Sequence, residues 1–313
     1  MPEQPATPEI YVNSFNYRRY DFRRAARRAK EYGYDGLEIW ARHYTTETIY
    51  DDLAEIRRIC RQVGTKAPVI NLHGNVIGDD PDERSNRLAW LNELIPQLPE
   101  YGVTVANGFA GSLIVDPNNW GINGSTAAEE AHYERAAEAY RVLGNIAQRA
   151  GVLLTFEVHM NTIHDTARST LRLLEMIDSP AVKANLDAGN MRGVPPAEPA
   201  PEAVEILKDW IAYAHCKNCR RVSYLPVGVD YDFLLDEGDV DYYAVVAALA
   251  RIGFQGPYCL EWSGYGDPSV PTRKDLAYFK SILEDVSADS EADASEAQAV
   301  GGTAASRSGV ALR

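Results

Sequence analysis

Long apolar runs are missing from this sequence. No stretch approaches the roughly 18 residues that a membrane-spanning helix needs. The first ten residues, MPEQPATPEI, are acidic and proline-rich and lack the apolar stretch of a signal peptide. Cysteine is scarce: four in 313 residues do not make a disulfide framework, so reduced thiols in a cytoplasmic protein are expected. Cys216 and Cys219 form one Cys-x-x-Cys, but a zinc cage would need a second pair, and none is present. Positive charge is also short. Lys and Arg total 31 against 45 Asp and Glu, a formal net charge of −14, and only 7 of the basic residues are Lys. Such a surface repels nucleic acid and anionic membrane, which leaves a small molecule as the expected partner.

What is present is a steady alternation of strand-like and helix-like segments over a composition that is 45% hydrophobic, enough for a sizeable core. Strands are predicted over Ile10–Asn13, Gly36–Trp40, Ala67–Leu72, Val103–Phe109, Val152–His159, Val182–Leu186, Ile211–His215 and Pro257–Trp262. Amphipathic helices are predicted between them over Phe22–Tyr32, Tyr50–Val63, Glu83–Tyr101, Ala127–Ala150, Ala167–Asp178 and Tyr242–Ile252. Thr126 and Glu129 read as a capping box, and Asp165 as the N-cap of the following helix. Gly33, Gly64, Gly102, Gly151 and Gly253 each follow a predicted helix and precede a strand, the position where a left-handed residue closes a helix. Uniform βα units of this kind predict a single-domain α/β protein, a (β/α)₈ TIM barrel over residues 10–286. Residues 1–9 read as an N-terminal extension, and 287–313, poor in large apolar residues, as a disordered tail. Two long connections, Ala110–Ser125 and Lys217–Asp239, read as lids or substrate walls.

Four strand segments end in a residue able to bind a metal: LLTFE in Glu157, VKANLD in Asp187, IAYAH in His215 and PYCLE in Glu261. The separations are 30, 28 and 46 residues, against roughly 30 for one βα repeat. A (β/α)₈ barrel gathers the carboxyl ends of its strands at one mouth, so these side chains should converge there. Three carboxylates and one imidazole form a mainly hard donor set, suited to one divalent ion. Mn²⁺ is the first expectation, with Mg²⁺ or Co²⁺ as alternatives.

Beyond the ligand pattern, YDGLEIW (Tyr34–Trp40), FEVH…HDT (Phe156–Thr166), NLDAGN (Asn185–Asn190), HCKN (His215–Asn218) and GFQGPYCLEW (Gly253–Trp262) occur in an order and spacing that resemble the xylose-isomerase-like barrel superfamily. That superfamily includes sugar phosphate isomerases and epimerases, inosose dehydratases and the catalytic subunits of C-glycoside deglycosidases. The resemblance implies one divalent metal on Glu157, Asp187, His215 and Glu261, with both glutamates exchanging protons with the substrate. Departures are visible. Ketose epimerases carry a His three residues after the metal Asp, where Asn190 stands, and a second Glu six residues after the first, where Ile163 stands; their Arg six residues after the metal His is matched by Arg221. The related DNA-repair endonucleases need more histidines than the six here.

His159, two residues after Glu157, is read as a general base beside the metal. His73, Asn190, Lys217, Arg221 and Trp262 are the candidate substrate contacts, while Trp40 reads as core packing. The leading expectation is a metal-dependent sugar, sugar phosphate or polyol isomerase or epimerase acting by proton transfer next to a carbonyl. The alternatives are a lyase on the same site, of the inosose-dehydratase or C-deglycosidase type, and a non-catalytic carbohydrate-binding barrel. The partner is a carbohydrate, with a homo-oligomer as the assembly, or a small β-rich subunit if the protein is a C-deglycosidase.

Overall fold

All eight predicted barrel strands form. The computed structural model describes residues 8–72 and 74–305, so the predicted extension is outside the described residues except for Pro8 and Glu9. The strands are β1 (Ile10–Asn13), β2 (Gly36–Ile39), β3 (Val69–Leu72), β4 (Val105–Gly108), β5 (Leu153–Glu157), β6 (Val182–Asp187), β7 (Ile211–Cys216) and β10 (Tyr258–Leu260). They close in the order β1-β10-β7-β6-β5-β4-β3-β2, every pair parallel. Helices α1 (Phe22–Tyr32), α2 (Ile49–Val63), α3 (Pro81–Leu94), α4 (Glu130–Ala150), α5 (Ala167–Ile177), α6 (Ala188–Gly193), α7 (Ala200–Leu207), α8 (Tyr242–Arg251) and α9 (Ser269–Ala305) connect or follow the strands. The chain therefore forms a TIM barrel.

Strand periodicity divides the buried residues into two sets. One set, including Val12, Leu37, Ile39, Ile70, Leu154, Phe156, Leu186 and Leu260, packs in the main core with residues such as Phe22, Leu53, Leu143 and Leu249 of the helices. The other set fills the barrel. Tyr11, Val69, Tyr213 and Cys259 pack together there with Val105. Further along the same strands come Glu38, Asn71, Asn107, Thr155 and Asn185, buried and joined by hydrogen bonds. Glu157, Asp187, His215 and Glu261 come next, at the carboxyl ends.

All five predicted glycine stops take positive φ, from 69° at Gly151 to 90° at Gly33, and the backbone N–H of Gly151 donates to Ala147 and Gln148 carbonyls. The capping details differ from expectation. The N-cap of α4 is Glu129, whose backbone N–H donates to His132 Nδ1 at 2.9 Å, rather than Thr126. Thr166 caps α5 through Ser169 N, while Asp165 accepts instead from Ser125 N at 3.2 Å and ties the β4–α4 connection to the β5–α5 segment.

One connection departs further. The segment after β7, which reads as a loop in the sequence, contains an antiparallel hairpin, β8 (Asn218–Arg221) with β9 (Val229–Phe233). α9 begins at Ser269, and its helical backbone runs to Ala305, with Val286 buried. Residues 306–313 lie outside the described residues.

Gly108 shows how closely the strands approach. A Cβ there would sit 2.0 Å from the Leu72 carbonyl oxygen, on the strand it pairs with. Gly108→Ala should therefore lower stability by about 3 kcal/mol. A urea-unfolding midpoint unchanged from that of the parent protein would show that β3 and β4 can separate at no cost.

Candidate active site

The four expected ligands do converge. His215 Nδ1 lies 3.6 Å from Glu157 Oε1, 3.9 Å from Asp187 Oδ2 and 3.9 Å from Glu261 Oε2, and all four residues are buried. Strand register accounts for this. Asp187 on β6 and Cys259 on β10 both pair with His215 on β7, which places Glu261 two residues beyond that level, on the same inward face as Cys259. The other ring nitrogen of His215, Nε2, is bonded to Glu38 Oε2 at 2.6 Å. Nδ1 has no hydrogen-bond partner. An imidazole nitrogen left open toward three carboxylates is the arrangement that a divalent cation completes, so the residues present fit one.

Neighbouring side chains hold the carboxylates in place. Asn13 donates to Glu261 Oε2 at 2.9 Å, Asn107 to Glu157 Oε2 at 3.3 Å, and Asn190 to both Glu157 Oε1 at 2.8 Å and Asp187 Oδ2 at 2.9 Å. The Lys217 ammonium donates to Glu261 Oε1 at 2.7 Å and lies 3.2 Å from Asp187 and 3.6 Å from Glu157. Burial pushes Glu157 up, but the cationic His215 and Lys217 hold its carboxyl well below the ordinary range. Burial, together with the Glu157 and Glu261 charges, raises Asp187 despite Lys217. Burial works against charge on His215 and Lys217 too, yet the surrounding carboxylates raise both well above their usual values. The raised values of Asp187, His215 and Lys217 report an excess of negative charge, whereas Glu157 is the carboxylate that the two cations serve best.

Above the cluster is a cavity of about 250 Å³ lined by Asn13, Phe15, Trp40, Asn71, Phe109, Trp120, Glu157, His159, Met160, Asn190, Lys217, Tyr231, Glu261 and Ser263. Each long connection contributes an aromatic wall, Trp120 after β4 and Tyr231 on β9, with ring centroids 6.4 Å apart. His159 is beyond the end of β5, so strand alternation does not aim it. Instead its Nδ1–H donates to the Met160 carbonyl at 2.8 Å and its ring packs 4.7 Å from Phe109. Burial lowers its affinity for a proton, offset in part by Glu157. The neutral ring therefore keeps Nε2 as an acceptor at the cavity.

Of the candidate substrate contacts, Asn190 and Lys217 line the cavity, and His73 lies outside the described residues. Arg221 does not reach it: exposed on β8, it bonds through its backbone N–H to Asp239 and through its guanidinium to the Arg192 carbonyl. Trp262 is buried away from the cavity, with its N–H bonded to Asn16, while Trp40 lines the cavity against Phe15. Parity explains the exchange of roles. Trp40 is two residues from the inward-facing Glu38, whereas Trp262 is one residue from the inward-facing Glu261. Glu38 and Asn13 went unassigned, although polar groups within buried strands signal a partner in the barrel. His164, in the same motif as His159, has a structural role: Nε2 accepts from Ala110 N, and burial pushes its pKa down to about 3.

Comparison with known proteins identifies the family and the fold. The 3-dehydroshikimate dehydratase of Bacillus anthracis is 24% identical over 222 residues, 68% of this chain and 72% of that protein. A xylose isomerase-like TIM barrel protein of Mycobacterium smegmatis, solved in complex with magnesium, superposes with a TM-score of 0.69 at 19% identity, covering 90% of this chain and 99% of that one. The D-allulose 3-epimerase of a Methylomonas species gives 0.71 at 18% identity, covering 88% and 98%. At these identities the structural matches establish the fold alone. The profile of the xylose isomerase-like TIM barrel family matches residues 26–282, and the chain belongs to that family.

Proposed function

We propose that this protein is a divalent-metal-dependent enzyme that isomerises or epimerises a sugar, sugar phosphate or polyol by moving a proton next to a carbonyl. The observation that carries the reading is the convergence of Glu157, Asp187 and Glu261 on the open Nδ1 of His215. Mn²⁺ is the proposed occupant, with Mg²⁺ or Co²⁺ able to use the same hard donors. When bound, the ion would stabilise the negative charge that develops on a substrate carbonyl oxygen. The protein's own groups do the rest. The aromatic side chains of Trp40, Trp120 and Tyr231 confine a ring or chain over the cluster, and Asn13 and Asn190 keep the carboxylates oriented. His159 Nε2 or a glutamate oxygen takes the proton from the carbon beside the carbonyl and returns it. Four free, buried thiols accord with the cytoplasmic setting proposed for the protein, and among the described residues no helix is long and apolar enough to cross a membrane.

A lyase reading has its own support. Ile163, at the position of the epimerases' second Glu, is fully buried in the core, and Asn190 turns its amide to the carboxylates. His159 is then the base beside the cluster, and the Lys217 ammonium is placed to donate a proton to a departing hydroxyl. The two reactions part in deuterated water. An isomerase or epimerase returns substrate and product labelled at the exchanged carbon, whereas a dehydratase releases an unsaturated product. A screen of sugars and polyols with Mn²⁺ that gives neither result would leave the carbohydrate-binding reading.

Four variants test the roles. Glu157→Gln and Glu261→Gln should each abolish turnover; either variant retaining both metal and most activity would remove that glutamate from the mechanism. His159→Ala should lower kcat by roughly 10²-fold with metal content unchanged, whereas a change confined to KM would make His159 a substrate contact. Lys217→Met should destabilise the chelator-treated protein by about 3–5 kcal/mol, because it leaves three buried carboxylates without their ammonium. Saturating Mn²⁺ should recover much of the lost Tm, and equal losses with and without metal would show that Lys217 and the ion do not share the same charge.

A further inference from the structure

Glu38 is a buried carboxylate of the barrel interior that does not line the cavity. It sits on β2 one level below the cluster and is fully buried. Its hydrogen-bonding capacity is filled by four side-chain donors. Oε2 accepts from His215 Nε2 at 2.6 Å and from the Tyr213 hydroxyl at 2.7 Å. Oε1 accepts from Asn107 Nδ2 at 3.2 Å and from Asn71 Nδ2 at 3.4 Å. Among the described residues its only ion-pair partner is His215. A carboxylate is costly to bury, and an Asn or Gln would fill this space with less penalty. Its ionic partner therefore points to its use.

We infer that Glu38 is a positioning residue for the metal: it holds the His215 imidazole by Nε2–H, so that Nδ1 carries the free lone pair and is aimed at the point where Glu157, Asp187 and Glu261 meet. The inference rests on the metal reading of that cluster. Two features make the device specific. Tyr213 and the two asparagines hold the carboxylate in place, so the ring cannot turn without breaking its bond to a fixed acceptor. Asn107 also divides its amide between Glu38 and Glu157 Oε2 at 3.3 Å, while Thr155 and Asn185 hold its carbonyl at 3.0 and 3.1 Å. Asn185 in turn accepts from the His215 backbone N–H at 3.0 Å. The buried amide layer therefore sets the imidazole and one carboxylate ligand in a common frame. The negative charge of Glu38 also raises the basicity of Nδ1 toward a cation.

The test is Mn²⁺ binding to the chelator-treated full-length protein by titration calorimetry, compared with Glu38→Gln, a change that keeps the volume and removes the charge. Affinity should fall about 10–100-fold. Once a substrate is known, the Mn²⁺ concentration giving half-maximal activity should rise in parallel while kcat at saturating Mn²⁺ recovers, a pattern that general loosening of the barrel would not produce. Tyr213→Phe removes a single donor to Oε2 and should weaken Mn²⁺ binding about three- to tenfold; it carries the test alone if Glu38→Gln does not fold. Affinity within about twofold of the parent protein in the folded variant would overturn the role of Glu38 and leave the metal site standing. A parent protein that binds no Mn²⁺ would overturn both.

Discussion

Four carboxylates, Glu38, Glu157, Asp187 and Glu261, are each no more than 9% exposed inside one barrel, and the cations among them are Lys217 and, when protonated, His215. Charges at these separations interact strongly once water is excluded, so the cluster is under constant demand for positive charge. Lys217 answers part of it from within the chain, bonded to Glu261 and within 3.6 Å of Glu157 and Asp187. A proton on Asp187 or His215 answers another part, which is why both are held above their ordinary proton affinities. A dication at His215 Nδ1 would answer most of it at once. The arrangement stores electrostatic cost in the folded protein, a cost that a bound cation would relieve.

The barrel can maintain this because its interior is layered by strand periodicity. The apolar level around Tyr11, Val69 and Tyr213 seals one end, and the amides of Asn71, Asn107 and Asn185 form a hydrogen-bonded level above it. The carboxylates and imidazole of the cluster come next. Each sits two residues beyond an inward-facing residue of its own strand, so its height and direction follow from backbone register rather than from loop conformation. Sites built on regular elements are held more tightly than sites on loops. The helices pack on the opposite faces of the same strands, in a core that contains none of the ligands.

The same periodicity explains how much was legible in the sequence. Apolar runs ending in Glu157, Asp187, His215 and Glu261 marked both the strands and their mouth, because a parallel strand buried on both faces must be apolar until it stops. Glycines after helices marked the return turns. Errors began where regular structure stopped. Arg221 follows a strand end by several residues, and the hairpin β8–β9 carries it out to solvent, where no strand parity applies. Strand parity counted from Glu261 turns Trp262 outward, and counted from Glu38 it turns Trp40 toward the cavity.

Glu38 and the cavity walls show two different solutions to specificity in one chain. Below the cluster, every group that touches a ligand is itself bonded by others, so the ligand geometry is set before any small molecule arrives. Above it, the walls come from segments outside the barrel strands: Trp120 from the β4–α4 connection, Tyr231 from the hairpin, and Met160 and His159 from the end of β5. Such segments tolerate change without disturbing the interior, because their bonds to the barrel are few and mostly to backbone, as with Tyr231 to the Gly189 carbonyl. Lys217 is the only cationic side chain lining the cavity among the described residues, and it is committed to the carboxylates. The cavity is therefore lined chiefly by aromatic faces and amide groups over a fixed charged floor.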